Sequence, residues 1–262
     1  MQSATIPATR SGLGPVAGGT PCIKLGLPLI AARQEWSSLV DTVLRGRRRR
    51  TVNRMAEAAL RYAALGWPVS TGAFPPAGAP RSSGRQRACS CDRIGCPAPG
   101  AHPVSPAWQS VASTDPELIT SWWLATPTAN VILVTGRTFD VLDVPGAVGR
   151  TALARMERSG LRPGPVAMSA AGERAHYFVR SRGAPADENE WWSCHLDCEP
   201  EEIADVTGLR WHCRASYVVA PPSRTATGAP CRWLRDPGTY ELPDGLRLLE
   251  ILSDVCEEAR SW

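Results

Sequence analysis

The chain has 262 residues, 43% of them hydrophobic, and is long enough to bury one sizeable core. It has no apolar run near the roughly eighteen residues of a membrane span and no secretory leader, so we expect a cytoplasmic protein without a membrane partner. The formal charge of +4 is uneven: residues 1–50 hold eight basic and two acidic side chains, and residues 51–262 hold 21 and 23. The net basic charge therefore belongs to the N-terminal segment and does not support DNA binding by the rest of the chain.

The N-terminal segment, residues 1–50, is predicted to be a disordered or weakly helical basic tail. Its first part is rich in small and turn-forming residues, Trp36–Leu44 has a short helical periodicity, and the segment ends in the basic run Arg45–Arg50. Such a run is typical of a solvated charged surface, a nucleic-acid-binding arm or the flank of a helix. A start codon assigned too far upstream would also explain the whole segment. The globular domain is predicted to cover residues 51–262.

The domain alternates helical and strand-like patterns, which favours an α+β fold with a mostly antiparallel sheet covered by helices. Gly66 closes the first helix, and Asp115 followed by Pro116 predicts the start of the second. The predicted helices are Val52–Leu65, Pro116 to about Pro127, Thr151–Ser159 and a C-terminal helix over about 244–260. The predicted strands are Trp67–Val69, Val131–Thr135, Thr138–Val144, Pro165–Ser169, Ala175–Arg180, Glu202–Thr207 and Ser216–Ala220.

Residues 71–107 have almost no apolar periodicity, so this long stretch needs another source of order. Three thiols and an imidazole lie within it at the spacing C-x-C-x4-C-x5-H, which is the ligand complement of a closed, tetrahedral structural zinc (Zn²⁺) site. The ligands are Cys89, Cys91, Cys96 and His102. The alternative is a loop that carries thiols by chance. We predict a zinc-stabilised loop over about 86–104.

A second group of thiols and imidazoles is less suggestive of a metal site. Its members are Cys194, His195 and Cys198, with His212 and Cys213 further along the chain. For these residues buried or surface thiols are the default interpretation.

Asp143 stands near the end of a predicted strand, where carboxylates that bind metal for phosphoryl chemistry are often placed. Asp140 precedes it by three positions. Because side chains alternate along a strand, the two carboxylates are predicted to point to opposite faces of the sheet.

Motifs in a fixed order over residues 55–236 resemble bifunctional DNA primase/polymerase (prim-pol) domains of the archaeo-eukaryotic primase superfamily. They include Gly66-Trp67-Pro68, Gly100-Ala101-His102-Pro103, Ser113-Thr114-Asp115-Pro116, Val141-Leu142-Asp143-Val144, His176-Tyr177-Phe178, Asp205-Val206 and Tyr217 to Ser223. The resemblance implies a primase-type core, in which an RRM-like antiparallel sheet packs against a second α/β layer. It also implies nucleotidyltransferase activity in DNA replication, with nucleotides and DNA as partners.

In that family a D-x-D pair and a later aspartate bind two divalent metals, Mg²⁺ or Mn²⁺, and a histidine contacts the nucleotide phosphates. By motif, Asp143 matches the first aspartate of the pair, Asp205 the later aspartate and His176 the histidine. Pro145 stands where the second paired aspartate is expected, and alanine replaces a lysine before His102.

The resemblance therefore predicts a domain that binds nucleotide and nucleic acid through a degenerate two-metal site, with the catalytic roles on Asp143, Asp205 and His176. A replication helicase acting in trans is a candidate partner. The alternative is a non-catalytic interaction or regulatory module that reuses the same scaffold.

Overall fold

A computed structural model describes residues 53–76, 89–91, 93, 95–182 and 208–260. Several predictions from the sequence lie outside these residues and stay untested. They concern the basic tail at 1–50, the strand at 202–207, and the residues Cys194, His195, Cys198 and Asp205.

The described part of the chain contains five α-helices and eight β-strands. The helices are α1 (Arg54–Ala64), α2 (Trp108–Val111), α3 (Pro116–Ala125), α4 (Gly146–Arg158) and α5 (Gly245–Arg260). The strands are β1 (Val69–Gly72), β2 (Asn130–Val134), β3 (Phe139–Pro145), β4 (Val166–Met168), β5 (Arg174–Arg180), β6 (Arg210–His212), β7 (Tyr217–Ala220) and β8 (Arg232–Arg235). The mixed α+β composition is confirmed, whereas the sequence analysis missed α2, β6 and β8.

Two helix boundaries lie where the sequence predicts them, the end of α1 just before Gly66 and the start of α3 at Pro116. The Asn53 side chain accepts the backbone N–H of Met55 at 3.0 Å, which caps α1, and Gly66 follows that helix with φ of +75°. Asp115 accepts the backbone N–H of Glu117 at 2.8 Å at the start of α3. These helix ends are set by short-range hydrogen bonds, which explains why the sequence alone locates them.

The strands form two sheets, not the single sheet that the sequence analysis predicts. One sheet has the order β1-β2-β7 and the other the order β6-β3-β5-β4-β8. Every pairing between these strands is antiparallel, as predicted. β2 and β3, which follow each other closely in the chain, lie in different sheets, and β7 pairs with β2. Local periodicity cannot reveal this division, because it depends on pairing between distant segments.

The five-stranded sheet is buried on both faces. One face packs with the three-stranded sheet, α1 and α3, around an aromatic cluster in which the Trp67 and Phe178 rings stack at 5.2 Å. The opposite face packs on α4 and α5. At Gly149 of α4 a Cβ atom would lie 2.2 Å from that of Ala175, so glycine permits the close helix–sheet contact. Among the described residues, no helix is both long enough and apolar enough to cross a membrane.

Candidate metal centre and active-site cleft

The predicted zinc ligands come together in space. The ligand atoms of Cys89, Cys91, Cys96 and His102 all lie within 4.8 Å of one another. His102 Nε2 is 3.4 Å from the sulfur atoms of both Cys89 and Cys96. Ligand atoms around a tetrahedral zinc ion are about 3.5–3.8 Å apart, so the four residues fit this metal. No other group of three or more potential metal ligands meets the same criterion in the described part of the chain.

Backbone groups orient these ligands. His102 Nδ1 lies 2.8 Å from the Pro103 carbonyl oxygen, and an N–H donated there leaves the Nε2 lone pair for a metal. The Gly100 N–H donates to the Cys89 sulfur at 3.4 Å. A hydrogen bond from the backbone of Arg93 lowers the pKa of Cys91 to about 7, which favours the thiolate that zinc requires. Cys89, Cys91 and Cys96 form no disulfide bond.

The predicted zinc loop, called the zinc loop below, is attached to the three-stranded sheet by polar contacts. The Ala73 N–H donates to the His102 carbonyl at 2.8 Å, next to the end of β1. The buried Asn130 side chain, on β2, donates to the carbonyls of Gly100 at 2.8 Å and Arg224 at 2.6 Å. It also accepts the Arg224 N–H at 3.1 Å. Asn130 thus joins the zinc loop to the loop that follows β7.

A cleft of about 510 Å³ opens between the two sheets. Asp143 and His176 lie on its floor, because the β3–β5 register places them directly opposite each other. Its walls come from the zinc loop, β7 and the loop that follows β7. The wall residues include Ala98, Pro99, Ala101, Ser216, Tyr217, Val218, Val219, Thr225 and Ala226. The structure therefore brings together two of the three predicted catalytic residues, and the third, Asp205, lies outside the described residues.

Asp143 is bonded to basic side chains on several sides. Arg174 Nε donates to Asp143 Oδ1 at 2.8 Å. His212 Nε2 lies 3.3 Å from Oδ2, and His176 Nε2 lies 3.6 Å from Oδ1. Only 5% of the Asp143 side chain is exposed, so these contacts are largely shielded from water. Both carboxylate oxygens already have partners within the protein.

The electrostatics of the pair follow from burial and neighbouring charge. Burial alone would raise the pKa of Asp143, but His176, His212 and Arg174 more than offset this and hold it well below its ordinary value. Burial lowers the pKa of His176 to about 4, so this imidazole is neutral at pH 7. With His176 neutral at pH 7, His212 and Arg174 are the neighbours that favour the ionised carboxylate.

Sequence reasoning missed two members of this cluster, Arg174 and His212. Arg174 precedes His176 by two positions on a strand, so the alternation of side chains could have placed both on one face. The sequence pattern places His212 in a group with Cys194 and Cys198 instead. It lies on β6 opposite Val141, on the face of β3 that carries Asp143. That long-range pairing leaves no local signal in the sequence.

Asp140 and Pro145 occupy the two positions relevant to a second carboxylate. Asp140 lies on the opposite face from Asp143, as predicted, where Trp211 Nε1 donates to it at 3.3 Å. Pro145 shares the face of Asp143, pairs in register with Arg174 and precedes the first residue of α4. Within the described residues the cleft floor holds one carboxylate, Asp143, with the exposed Glu173 at the rim. These residues by themselves do not complete a two-metal site.

The family model of the bifunctional DNA primase/polymerase N-terminal domain matches residues 59–247, well over half of the chain. The chain belongs to this family. The match confirms the resemblance found in the sequence, and it runs from α1 into α5, so it includes the zinc loop and all the described cleft residues of this prim-pol domain. No curated protein matches the chain.

Proposed function

We propose that this prim-pol domain binds a nucleotide in the cleft between its two sheets and carries a degenerate nucleotidyltransferase site. The family supports a primase/polymerase-like function in general. The finer proposal depends on one observation: Asp143 and His176 lie side by side on the cleft floor, and Pro145 takes the next position along the same face of β3.

The cleft suits a nucleotide in size and in chemistry. Its volume of about 510 Å³ lies within the usual range for small-molecule sites. His176 on the floor would face the phosphates, and Ser169 and Ser216 add hydroxyl groups to the lining. Tyr217 forms part of the wall, and an aromatic side chain there would suit the stacking of a base.

Asp143 would hold the divalent metal together with Asp205, whose role is implied by the family motif alone. Mg²⁺ or Mn²⁺, when bound, would neutralise phosphate charge and activate the attacking hydroxyl. Because Pro145 supplies neither a carboxylate nor an N–H, one ligand shared by the two metals is missing. We therefore expect nucleotidyl transfer to be weak or absent while nucleotide binding is retained.

The test separates binding from chemistry. Isothermal titration with dATP, with and without Mn²⁺, should give saturable binding that His176→Gln weakens. Primer extension and primer synthesis with either metal should give little product, and Asp143→Asn should abolish any product that forms. Asp236→Asn is the control, since this carboxylate forms an exposed ion pair with Arg61 on the surface. A folded, zinc-loaded protein that binds no nucleotide would refute the proposal.

A second candidate is a non-catalytic interaction or regulatory module on the same scaffold. The observation that favours it is the saturation of Asp143 by Arg174 and His212, together with the slightly acidic charge of residues 51–262. Surfaces that follow a nucleic-acid backbone are usually basic. This candidate predicts neither nucleotide binding nor incorporation in the same two assays, so one set of measurements distinguishes the two functions.

A further inference from the structure

We propose that Arg174 is an internal counter-ion that takes the place of a divalent cation beside Asp143 and so keeps the metal affinity of the cleft low. The idea deepens the proposed function, on which it rests, by naming the residue that sets metal binding at that site. It concerns Arg174 as a positioning residue that acts through Asp143.

The guanidinium is held by several oxygen atoms at once. Arg174 Nε donates to Asp143 Oδ1 at 2.8 Å, and its Nη2 donates to the backbone carbonyl of Asp143 at 3.1 Å. The same Nη2 also donates to the Gly208 carbonyl. The planar fork of an arginine is suited to such simultaneous contacts, and it keeps its charge at every pH that proteins tolerate. Arg174 is therefore fixed against the carboxylate, which a flexible surface pair would not be.

The backbone around Arg174 is also fixed. Its N–H donates to the Ser169 hydroxyl at 2.9 Å, and its carbonyl accepts the Ser169 N–H at 2.9 Å. These bonds close the connection between β4 and β5 and so fix the start of β5, which the register places opposite the end of β3. The side chain is 24% exposed and that of Asp143 only 5%, so the ion pair is mostly shielded from water. Shielded pairs of this kind resist the loss of one partner.

A metal at Asp143 would meet this cation directly. One carboxylate oxygen is bonded to Arg174 and the other lies 3.3 Å from His212 Nε2, so a divalent ion must displace a partner or bind beside a positive charge. Pro145 strengthens the argument, since it lies in register with Arg174. The protein thus places a cation directly across from the position where the family motif expects the second carboxylate.

The experiment titrates Mn²⁺ alone, without nucleotide, into wild-type and variant proteins and follows binding by electron paramagnetic resonance. We expect weak binding by the wild type and at least about tenfold tighter binding by Arg174→Gln. The gain should disappear in the Arg174→Gln/Asp143→Asn double variant. Arg174→Lys, which keeps the charge, should stay close to the wild type. Arg210→Gln is the matched control, because Arg210 pairs in register with Asp143 from β6 but is exposed.

Two outcomes would overturn the inference. One is an equal Mn²⁺ affinity of wild type and Arg174→Gln, and the other is tight wild-type binding that Asp143→Asn abolishes. The second needs no change at Arg174, so it decides the matter even if Arg174→Gln fails to fold. Nucleotide titrations without metal test the proposed function separately. If the protein binds nucleotide but wild type and Arg174→Gln have the same Mn²⁺ affinity, only the role of Arg174 is rejected.

Discussion

The Cys/His cluster of the zinc loop and the Asp143 cluster of the cleft floor differ in the groups that contact them. The predicted zinc ligands receive backbone contacts: an N–H reaches Cys89, and a carbonyl orients His102. Asp143 instead receives the guanidinium of Arg174 and the imidazole of His212. The first cluster has the ligand atoms of a metal site, whereas the carboxylate of the second is already bonded to a cation of the protein itself.

Under the proposal for Arg174, a carboxylate in a family motif does not by itself make a metal site. A thiolate cluster needs a metal to offset the repulsion and desolvation of its charges, so its metal contributes to folding. A buried aspartate already paired with an arginine has no such need. The predictions below test the contrast, in order of decreasing effect.

The largest effect should follow loss of the zinc site. We expect about one zinc ion per chain, and Cys89→Ser should remove it and lower Tm by about 5–15 °C, because the loop would lose its main source of order. Elemental analysis and thermal unfolding measure both quantities. Cys256→Ala, at a buried cysteine of α5 outside the cluster, should keep its zinc. If the metal-free protein unfolds at the same temperature as the zinc-loaded protein, zinc has no structural role.

Asn130→Ala should test the connection between the two regions. The substitution removes three hydrogen bonds between the zinc loop, β2 and the loop after β7, and it leaves the buried Gly100 carbonyl without this donor. We expect a loss of roughly 2–4 kcal/mol in the free energy of unfolding, with zinc still bound. Urea denaturation measures it. The exposed Gln109→Ala should change stability by under about 0.5 kcal/mol, and an equally small change for Asn130→Ala would contradict the connection.

Pro145→Asp should raise the affinity of the cleft for a divalent cation. A carboxylate at 145 would share the face of Asp143 and give Arg174 a second acceptor. We expect Mn²⁺ affinity to rise up to about tenfold, or about 1.4 kcal/mol. Pro145→Asn is the matched control, since it provides a similar helix cap without the charge. If the two variants bind Mn²⁺ equally, position 145 is not that of the second motif aspartate.

The smallest effect concerns pH. The pKa of His176 is about 4 in the folded protein against an ordinary value of 6.5, so the unfolded chain takes up a proton first as pH falls. Stability should decline by about 1 kcal/mol between pH 7 and 5.5 through this group, and His176→Gln should remove that part of the decline. Urea denaturation at both pH values measures the difference. Equal declines in the two proteins would mean that His176 titrates normally.

The sequence by itself located the features that depend on short-range order. The end of α1 before Gly66, the start of α3 after Asp115 and the convergence of the predicted zinc ligands follow from backbone conformations, hydrogen bonds or spacings within a few residues. The family emerged from motifs read in order along the chain. The placement of Asp140 and Asp143 on opposite faces required only the alternation of side chains along one strand.

Only the tertiary structure decided what surrounds Asp143. Arg174 reaches it through the β3–β5 register and His212 through the pairing of β6 with β3, and both depend on contacts between distant segments. The same is true of the division into two sheets that opens the cleft. Periodicity reports which face of a strand is buried but not which strand lies beside it. The partners of the carboxylate, and with them its chemistry, are therefore properties of the fold.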